Sequence, residues 1–511
     1  MKTRTSNSIK NSSAAFIGQI IVLLLQFTTQ TVFVRVLGAN YVGANGLFSN
    51  LLTLLSFADL GIGGAITYAL FEPLAKNDEG TISAIMRLFR NAYHTIGTTI
   101  FVFGFLFSFF IDNFVNKSST IPNVQLMFIL FVSNSAASYF FAYLRSLLVA
   151  DQQGYIDTFN RVFFVAGQTI FQVIFLIIEK KYIIFLIIQL VFTVAANVSL
   201  QRRTIKRFPY LKKEKKKKVP VAIVQNIKKN ILGAVASRFG IIITNGTDNL
   251  ILSSFLGLSI VGKYTSYLLI LNSVQNILTQ AFNAVISSVA NYSVEKKGKD
   301  EATIFFRYQY LVFGIAYVTA LSIFFILQKF ITVWIGSSYH LLDFTVMLLI
   351  TVWYFNVNRL SIQAFITAHG LYWETKWKSI AEALVNLVVS IFLISKTNLG
   401  VNSVILGTLA AHLLVNVWWE PLVLFHFGLK MKVKKYVYRY VKNIVLYVVT
   451  LFLIRRLSII TNLVHADLLD IVFWGILSFI FLSLVYLLTN LFSKEQMYFI
   501  RLIMKRIIKC L

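Results

Sequence analysis

Apolar segments of about 20 residues recur along almost the whole chain, and they constrain its fold more than any other feature. Ile17 to Val34 and Ile471 to Leu488 are two examples. As α-helices, such runs are long enough to cross the roughly 30 Å of hydrocarbon in a bilayer. The chain is 57% hydrophobic and only 13% charged, with a mean hydropathy of +0.73, which is too apolar for a soluble domain. The sequence therefore predicts an all-α integral membrane protein with about 14 transmembrane helices.

The loops between the apolar segments differ strongly in charge. The segments predicted to span the membrane are 14–36, 46–71, 92–111, 124–149, 161–178, 182–200, 230–255, 264–290, 309–333, 341–368, 377–395, 401–426, 441–461 and 469–492. With the N-terminus inside, the large majority of the 48 Lys and Arg residues fall in the inner loops and tails. Because positive charge concentrates on the cytoplasmic side of membrane proteins, both termini are predicted to be cytoplasmic.

A net charge of +28 would also suit a protein that binds nucleic acid. Such proteins combine positive charge with modules that stack on bases or read a groove, and the sequence shows no such module. Basic loops beside a membrane instead attract anionic lipid head groups. We therefore predict membrane lipids as partners and no nucleic acid.

Short motifs early in the chain recur in its second half at nearly constant spacing. The matched pairs are Lys10-Asn11 with Lys229-Asn230, Leu37-Gly38 with Leu256-Gly257, Val42-Gly43 with Val261-Gly262, and Phe89-Arg90-x-x-Tyr93-x-x-x-Gly97 with Phe306-Arg307-x-x-Tyr310-x-x-x-Gly314. A single internal repeat in an apolar chain predicts a membrane transporter with two halves and a substrate cavity at their interface.

The repeat also predicts how the chain is divided. The predicted parts are a six-helix half at 1–200, a basic cytoplasmic connector at 201–229, a second six-helix half at 230–427, and two further helices with a basic tail at 428–511. An even number of spans in the first half gives both halves the same orientation. In the tail, basic residues and isoleucines alternate at helical spacing, which predicts an amphipathic helix at the inner membrane surface.

Motifs in the first 93 residues resemble those of a known family. In chain order they are Lys10-Asn11, Phe33-x-Arg35-x-x-Gly38, Tyr41-x-Gly43, Gly46-Leu47-Phe48, Ala58-Asp59-Leu60-Gly61-Ile62-Gly63, Tyr68-x-Leu70, Pro73-Leu74-Ala75 and Phe89-Arg90-x-x-Tyr93. The chain resembles the polysaccharide transport family of oligosaccharide flippases for O-antigen, capsule and exopolysaccharide repeat units. Its superfamily also contains the multidrug and toxic compound extruders and the lipid II flippases.

The resemblance implies a function that composition alone does not. A member would move undecaprenyl-pyrophosphate-linked oligosaccharide repeat units across the bacterial cytoplasmic membrane by alternating access. It would be a multi-pass transporter and not an enzyme, and it would need no cofactor or metal. A polysaccharide polymerase or an initiating glycosyltransferase is a further candidate partner.

Four arginines lie within predicted spans: Arg35, Arg145, Arg238 and Arg359. Each raises the free energy of inserting its helix into the membrane by about 2.5–3.5 kcal/mol, unless it faces a wet cavity or a partner. A pyrophosphate substrate would supply a reason for them, because guanidinium groups bind phosphate oxygens in a bidentate way. Arg238 and Arg359 are the leading candidates because they lie deep in their spans. Arg35 and Arg145 lie near span ends, so they can instead reach the interface.

Acidic residues within the spans are candidates for ion coupling or for lining a cavity. They are Asp59, Asp248, Glu382 and Glu420. Asp248 lies nearly three turns from Arg238, so the two can share one helix face. Structural ion pairs between helices explain these acids equally well, and both Glu382 and Glu420 are close enough to a span end to reach the inner surface. His412 is a weak candidate for a proton relay.

Two other functions fit an apolar chain of this kind. An ion-coupled multidrug antiporter should favour acids and aromatic residues in its spans, whereas arginines here at least match the acids. A membrane polymerase or ligase should carry a large outer loop with catalytic residues, but the longest predicted outer loop, near 113–123, has only about a dozen residues. The flippase interpretation is favoured over both.

Overall fold

Every regular element in the described part of the chain is helical, as the apolar pattern predicts. The computed structural model describes residues 2–55, 62–114, 121–212, 219, 247–295, 299–369, 371–461 and 467–510. The chain forms two compact units, residues 1–266 and 267–511. The predicted division into halves around the connector at 201–229 stays a prediction.

The described part of the first unit is built from α-helices. They are α1 (Lys2–Leu37), α2 (Ala39–Leu55), α3 (Ile62–Ala75), α4 (Glu79–Ser108), α5 (Val124–Tyr139), α6 (Ala142–Ala150), α7 (Gly154–Glu179), α8 (Tyr182–Arg207), α9 (247–256) and the start of α10 (Leu258–Glu295). Helix α7 packs on α1 and α8, and α5 packs on α4 and α8. Buried apolar side chains from α3, α4, α6 and α8 form a core that includes Leu70, Ile85, Phe89, Leu147 and Leu200.

The start of α4 is fixed by a side-chain cap. The Oδ1 atom of Asp78 accepts a hydrogen bond from the Thr81 backbone N–H at 3.0 Å, and its Oδ2 atom accepts one from the Thr81 hydroxyl at 2.6 Å. This cap satisfies one of the N–H groups that the first turn of a helix leaves without a partner.

Replacing Asp78 with alanine is expected to destabilise the protein by about 1 kcal/mol because the cap is lost. The measurement is the melting temperature of the purified protein in detergent. Asp78→Asn is the matched control, since asparagine caps helices about as well as aspartate. An equal loss in both variants would mean that the charge of Asp78, and not its cap, stabilises α4.

The repeated Leu-Gly motifs lie at equivalent helix breaks in the first unit. Gly38 separates α1 from α2, and Gly257 separates α9 from α10. Their φ angles are 82° and 89°, a region that glycine adopts without the steric strain of a β-carbon. The repeat therefore corresponds to two helix breaks of the same local geometry.

The second glycine of each motif allows α2 and α10 to cross at close range. A β-carbon on Gly43 would overlap the carbonyl oxygen of Leu258, the first residue of α10. A β-carbon on Gly262 would overlap the carbonyl oxygen of Ala39, the first residue of α2. Each glycine thus receives the first turn of the other helix, so the crossing is reciprocal.

The second unit begins within α10 and ends with a helix that is not a predicted span. Its further helices are α11 (Lys299–Ile335), α12 (Asp343–Ala368), α13 (Tyr372–Lys396), α14 (Asn402–Ala411), α15 (Val417–Val423), α16 (Lys434–Thr461), α17 (Leu468–Thr489) and α18 (Lys494–Cys510). Two π-helical turns, His412–Asn416 and Leu424–Gly428, flank α15. Helix α11 packs on α12, α16 and α17, and α13 packs on α14.

Ten helices in the described part of the chain are long and apolar enough to cross a membrane. Ten of the predicted spans coincide with them, and none of these extends more than about five residues beyond its helix. The other four predicted spans are 46–71, 92–111, 230–255 and 264–290. Of these, 46–71 and 230–255 include residues outside the described part, whereas 92–111 and 264–290 fall largely on α4 and α10, which are not among the ten. The chain is therefore a multi-pass helical membrane protein.

Candidate functional site

Four charged side chains meet inside the second unit, contributed by three helices. Arg359 comes from α12, Lys378 and Glu382 come from α13, and Glu420 comes from α15. Their side chains expose only 14%, 7%, 12% and 3% of their surface, respectively. Two cations and two carboxylates balance each other, so the group is formally neutral. We call these four residues, together with His412 and Asn416, the charge cluster.

The guanidinium of Arg359 is the centre of the charge cluster. Its Nε and Nη2 atoms donate to the two carboxylate oxygens of Glu420 at 3.1 and 2.7 Å, which is a bidentate pair. Its Nη1 and Nη2 atoms donate to the two oxygens of Glu382 at 3.0 and 3.5 Å. Nη1 also lies 3.5 Å from Nδ1 of His412. A guanidinium has five N–H donors, so Arg359 has an acceptor for each of them.

Lys378 bridges the same two carboxylates. Its ammonium lies 2.9 Å from Oε1 of Glu420 and 2.8 Å from Oε2 of Glu382. Lys378 and Glu382 are four residues apart on α13, so they lie on the same face of that helix. Each carboxylate therefore contacts both cations, which compensates for the removal of all four charges from water.

The π-helical turn after α14 supplies two polar groups to the cluster. The amide nitrogen of Asn416 donates to Oε1 of Glu382 at 2.6 Å and lies 3.1 Å from Nδ1 of His412. Since Asn416 and Arg359 both direct N–H groups at Nδ1, the network assigns His412 as neutral with its proton on Nε2. His412, Asn416 and Glu420 follow at intervals of four residues, and a π-helical turn keeps such residues closer to one face than an α-helix does.

The structure thus brings together four of the residues that the sequence singled out, namely Arg359, Glu382, Glu420 and His412. The carboxylates of Glu382 and Glu420 do not reach a surface but are buried against cations. Lys378 was missed, although its spacing of four residues from Glu382 was a usable signal.

The remaining described candidates lie in the first unit. Arg145 has a side chain that is 42% exposed, lies 3.4 Å from Asp157 and donates to Asn197 at 3.2 Å. Arg35 is exposed in the last turn of α1. Asp248 lies on α9 with a hydrogen bond from Tyr264. Its Oδ1 atom is buried without a hydrogen-bond partner among the described residues.

Two further candidates, Arg238 and Asp59, lie outside the described residues. The predicted shared helix face of Arg238 and Asp248 therefore stays a prediction. So do the proposed roles of Arg238 in phosphate binding and of Asp59 in ion coupling.

Comparisons with known proteins relate the chain as a whole to a family and to several solved structures. The sequence model of a family described as "Polysaccharide biosynthesis protein" matches residues 8–287. A search of the curated proteins finds no match. Several solved structures of membrane transporters resemble the chain.

Three of these structures illustrate the likeness. The lipid II flippase MurJ in an inward closed conformation has a TM-score of 0.62 at 14% identity, covering 94% of this chain and 100% of its own. An inward-facing multidrug resistance MATE family transporter of the MOP superfamily has a TM-score of 0.61 at 14% identity, covering 80% of this chain and 98% of its own. A MOP superfamily transporter from Pyrococcus furiosus has a TM-score of 0.52 at 12% identity, covering 84% and 97%. Because the sequence identities are so low, the structural likeness shows a shared fold alone.

Proposed function

This chain belongs to the polysaccharide biosynthesis protein family, and we propose that it is a flippase for lipid-linked oligosaccharides. It has the fold of the MOP superfamily transporters. The observation that carries the proposal is the family match over residues 8–287, in a chain of which 94% aligns with a lipid II flippase. In this proposal the substrates are undecaprenyl-pyrophosphate-linked repeat units.

The proposed setting is the bacterial cytoplasmic membrane, with both termini in the cytoplasm. The concentration of Lys and Arg in alternate loops supports this orientation. Transport would proceed by alternating access, in which one half of the repeat moves against the other. The energy would come from an ion gradient or from the gradient of the substrate itself, with Asp59 and Asp248 as the proposed coupling acids.

The charge cluster changes which arginines we propose as contacts of the substrate pyrophosphate. Arg359 has all its donors directed at Glu382, Glu420 and His412. It would bind phosphate only if these acceptors released it. Arg238, Arg35 and Arg145 remain the proposed phosphate contacts, with Arg238 first because it lies deepest in its predicted span.

Ion-coupled export of small cationic drugs is the second candidate function. The similarity to a multidrug resistance MATE family transporter favours it. The buried Oδ1 atom of Asp248, which lacks a partner among the described residues, would suit a proton or a cation. The family match favours the flippase, because its description concerns polysaccharide biosynthesis.

The test is a leaflet assay in cells that lack their own flippase. We expect the wild type to move lipid-linked repeat units to the outer leaflet, and Arg238→Ala to reduce the rate about tenfold or more. Loss of a charge-assisted hydrogen bond of about 1.5–3 kcal/mol gives that factor. The variants are compared at matched membrane abundance.

Lys76→Ala is the control for the loss of a positive charge, since its side chain is 70% exposed and pairs only with the exposed Glu72 at 2.6 Å among the described residues. It should transport at the wild-type rate. A wild type that moves no lipid-linked sugar from several donor strains, yet lowers the accumulation of a cationic dye, would replace the flippase proposal with the antiporter.

A further inference from the structure

A cavity of about 320 Å³ lies between α11, α16, α17 and the start of α18 in the second unit. The residues that line it include Gln309 of α11, Tyr486 of α17, and Arg439, Lys442 and Asn443 of α16. It lies at the end of α16 and α17 that is predicted to be cytoplasmic. No residue of the charge cluster lines it.

Helix α18 is held firmly against the cavity. The guanidinium of Arg439 lies 2.7 Å from the carboxylate of Glu495, in the first turn of α18. The hydroxyl of Tyr310 donates to Oε1 of Gln496 at 3.1 Å, and the guanidinium of Arg307 lies 3.4 Å from the ring centroid of Tyr498. These contacts fix the amphipathic helix as one wall, so the cavity is a built feature of the fold.

Polar groups at the cavity are left without protein partners. Gln309 is only 1% exposed, and neither its amide nitrogen nor its amide oxygen has a hydrogen-bond partner among the described residues. The amide oxygen of Asn443 is in the same state. Buried amides without partners are rare in native proteins, and a bound group is one explanation of them.

The cavity also carries unbalanced positive charge. Arg439 is paired with Glu495, but Lys442 donates to two uncharged atoms, the Thr489 carbonyl oxygen at 2.9 Å and Oδ1 of Asn490 at 3.0 Å. An ammonium has three donors, so Lys442 keeps one that can bind an anion. Within the described part of the chain no carboxylate lies within ion-pair distance of Lys442.

The mouth of the cavity has the character of a membrane interface. Tyr438 and Phe492 line it and are 72% and 98% exposed, and Lys442 is also exposed. Exposed aromatic and basic residues at the end of a span typically lie at the level of lipid head groups. A ligand entering from this side would be part of a lipid.

We propose that this cavity binds the head group of an anionic phospholipid with a phosphodiester and a hydroxylated head. The phosphate lies against Lys442 and accepts from the Gln309 amide nitrogen. Head-group hydroxyls donate to the amide oxygens of Gln309 and Asn443. The proposal concerns a resident lipid and does not depend on what the protein transports.

The test uses the purified full-length chain and phosphatidylglycerol, which has this head group. Binding is measured by the rise in melting temperature on titration in detergent and by native mass spectrometry. We expect phosphatidylglycerol to bind more tightly than phosphatidylcholine. Lys442→Met should weaken binding about tenfold, the effect of losing one hydrogen bond to a charged group. Glycerol 1-phosphate, a soluble phosphate ester, distinguishes a free phosphate from a lipid.

Two further variants keep the proposal testable if Lys442→Met folds poorly. Gln309→Leu removes the amide but keeps a similar volume, and should also weaken phosphatidylglycerol binding. Lys434→Met removes an exposed charge from the same helix outside the cavity and should leave binding unchanged. Equal binding by all three variants would overturn the proposal. Stabilisation by glycerol 1-phosphate but not by phosphatidylglycerol would overturn the assignment to a lipid.

Discussion

Replacing Arg359 with methionine is expected to destabilise the protein by about 3–5 kcal/mol. The substitution leaves Glu382 and Glu420, whose side chains are 12% and 3% exposed, with Lys378 as their only remaining cation within ion-pair distance among the described residues. A buried carboxylate without full compensation is far more costly than the intact pair. The measurement is the free energy of unfolding in detergent, supported by the melting temperature and the abundance in the membrane.

Arg145→Met is the matched control for this prediction. Arg145 also lies within a predicted span and beside a carboxylate, but its side chain is 42% exposed and lies 3.4 Å from Asp157. Water screens such a pair, so we expect a loss of only about 0–1 kcal/mol. If the two variants lost equal stability, burial of the charge cluster would not be the cause of the Arg359 effect.

A double variant separates a structural role of Arg359 from a role in transport. Arg359→Met combined with Glu420→Gln removes one charge of each sign and leaves Lys378 paired with Glu382 at 2.8 Å. We expect it to regain much of the stability lost in Arg359→Met, because the two residues contact each other and their effects are not additive. Normal transport by the stable double variant would make Arg359 structural. Lost transport at full abundance would mean that Arg359 also acts in the transport cycle.

Gly43→Ala is expected to destabilise the first unit by about 3 kcal/mol, the upper end of the range for overpacking a core. The new β-carbon would overlap the carbonyl oxygen of Leu258. A backbone atom at the start of a helix cannot move aside as a flexible side chain can, so α2 and α10 must separate. Gly262→Ala should have a similar effect against Ala39. The measurement is the melting temperature and membrane abundance of each variant.

Gly475→Ala is the control for the two glycine substitutions. It lies in α17, where a β-carbon would meet only Cδ1 of Ile326 at the ordinary contact distance of 3.5 Å. Alanine favours the helix more than glycine does, so this variant should be as stable as the wild type or more so. The double variant of Gly43 and Gly262 should lose less than the sum of the single losses, because one separation of the helices relieves both overlaps. Fully additive losses would contradict a shared crossing.

The sequence was enough to predict a membrane protein and most of its helices, because both depend on residues that are close together in the chain. An apolar run of about 20 residues must satisfy its own backbone hydrogen bonds in a bilayer, and a helix does so within the run. Ten predicted spans accordingly coincide, apart from a few end residues, with membrane-length helices of the described residues. The π-helical turns at His412–Asn416 and Leu424–Gly428 did not follow, because one extra residue in a turn hardly alters a hydrophobic pattern.

The candidate site could be predicted only in part from the sequence. Arg359, Glu382, Glu420 and His412 were identifiable because ionisable residues are costly within spans. Their mutual pairing was not, because α12, α13 and α15 contribute separate members and sequence does not give the rotation of each helix. For the same reason Lys378, near the start of α13, was not identified as a member of the site.

The amino-acid pattern was sufficient to predict a helical membrane protein with an internal repeat, since hydrophobicity, helix formation and glycine-dependent turns depend on residues close together in the chain. It also identified the paired motifs at Gly38 and Gly257. Helix packing was needed to show that Gly43 and Gly262 meet the start of each other's helix and that Arg359 is neutralised by two carboxylates. Contacts of this kind depend on which helix faces are packed together, and that choice is made by the whole fold.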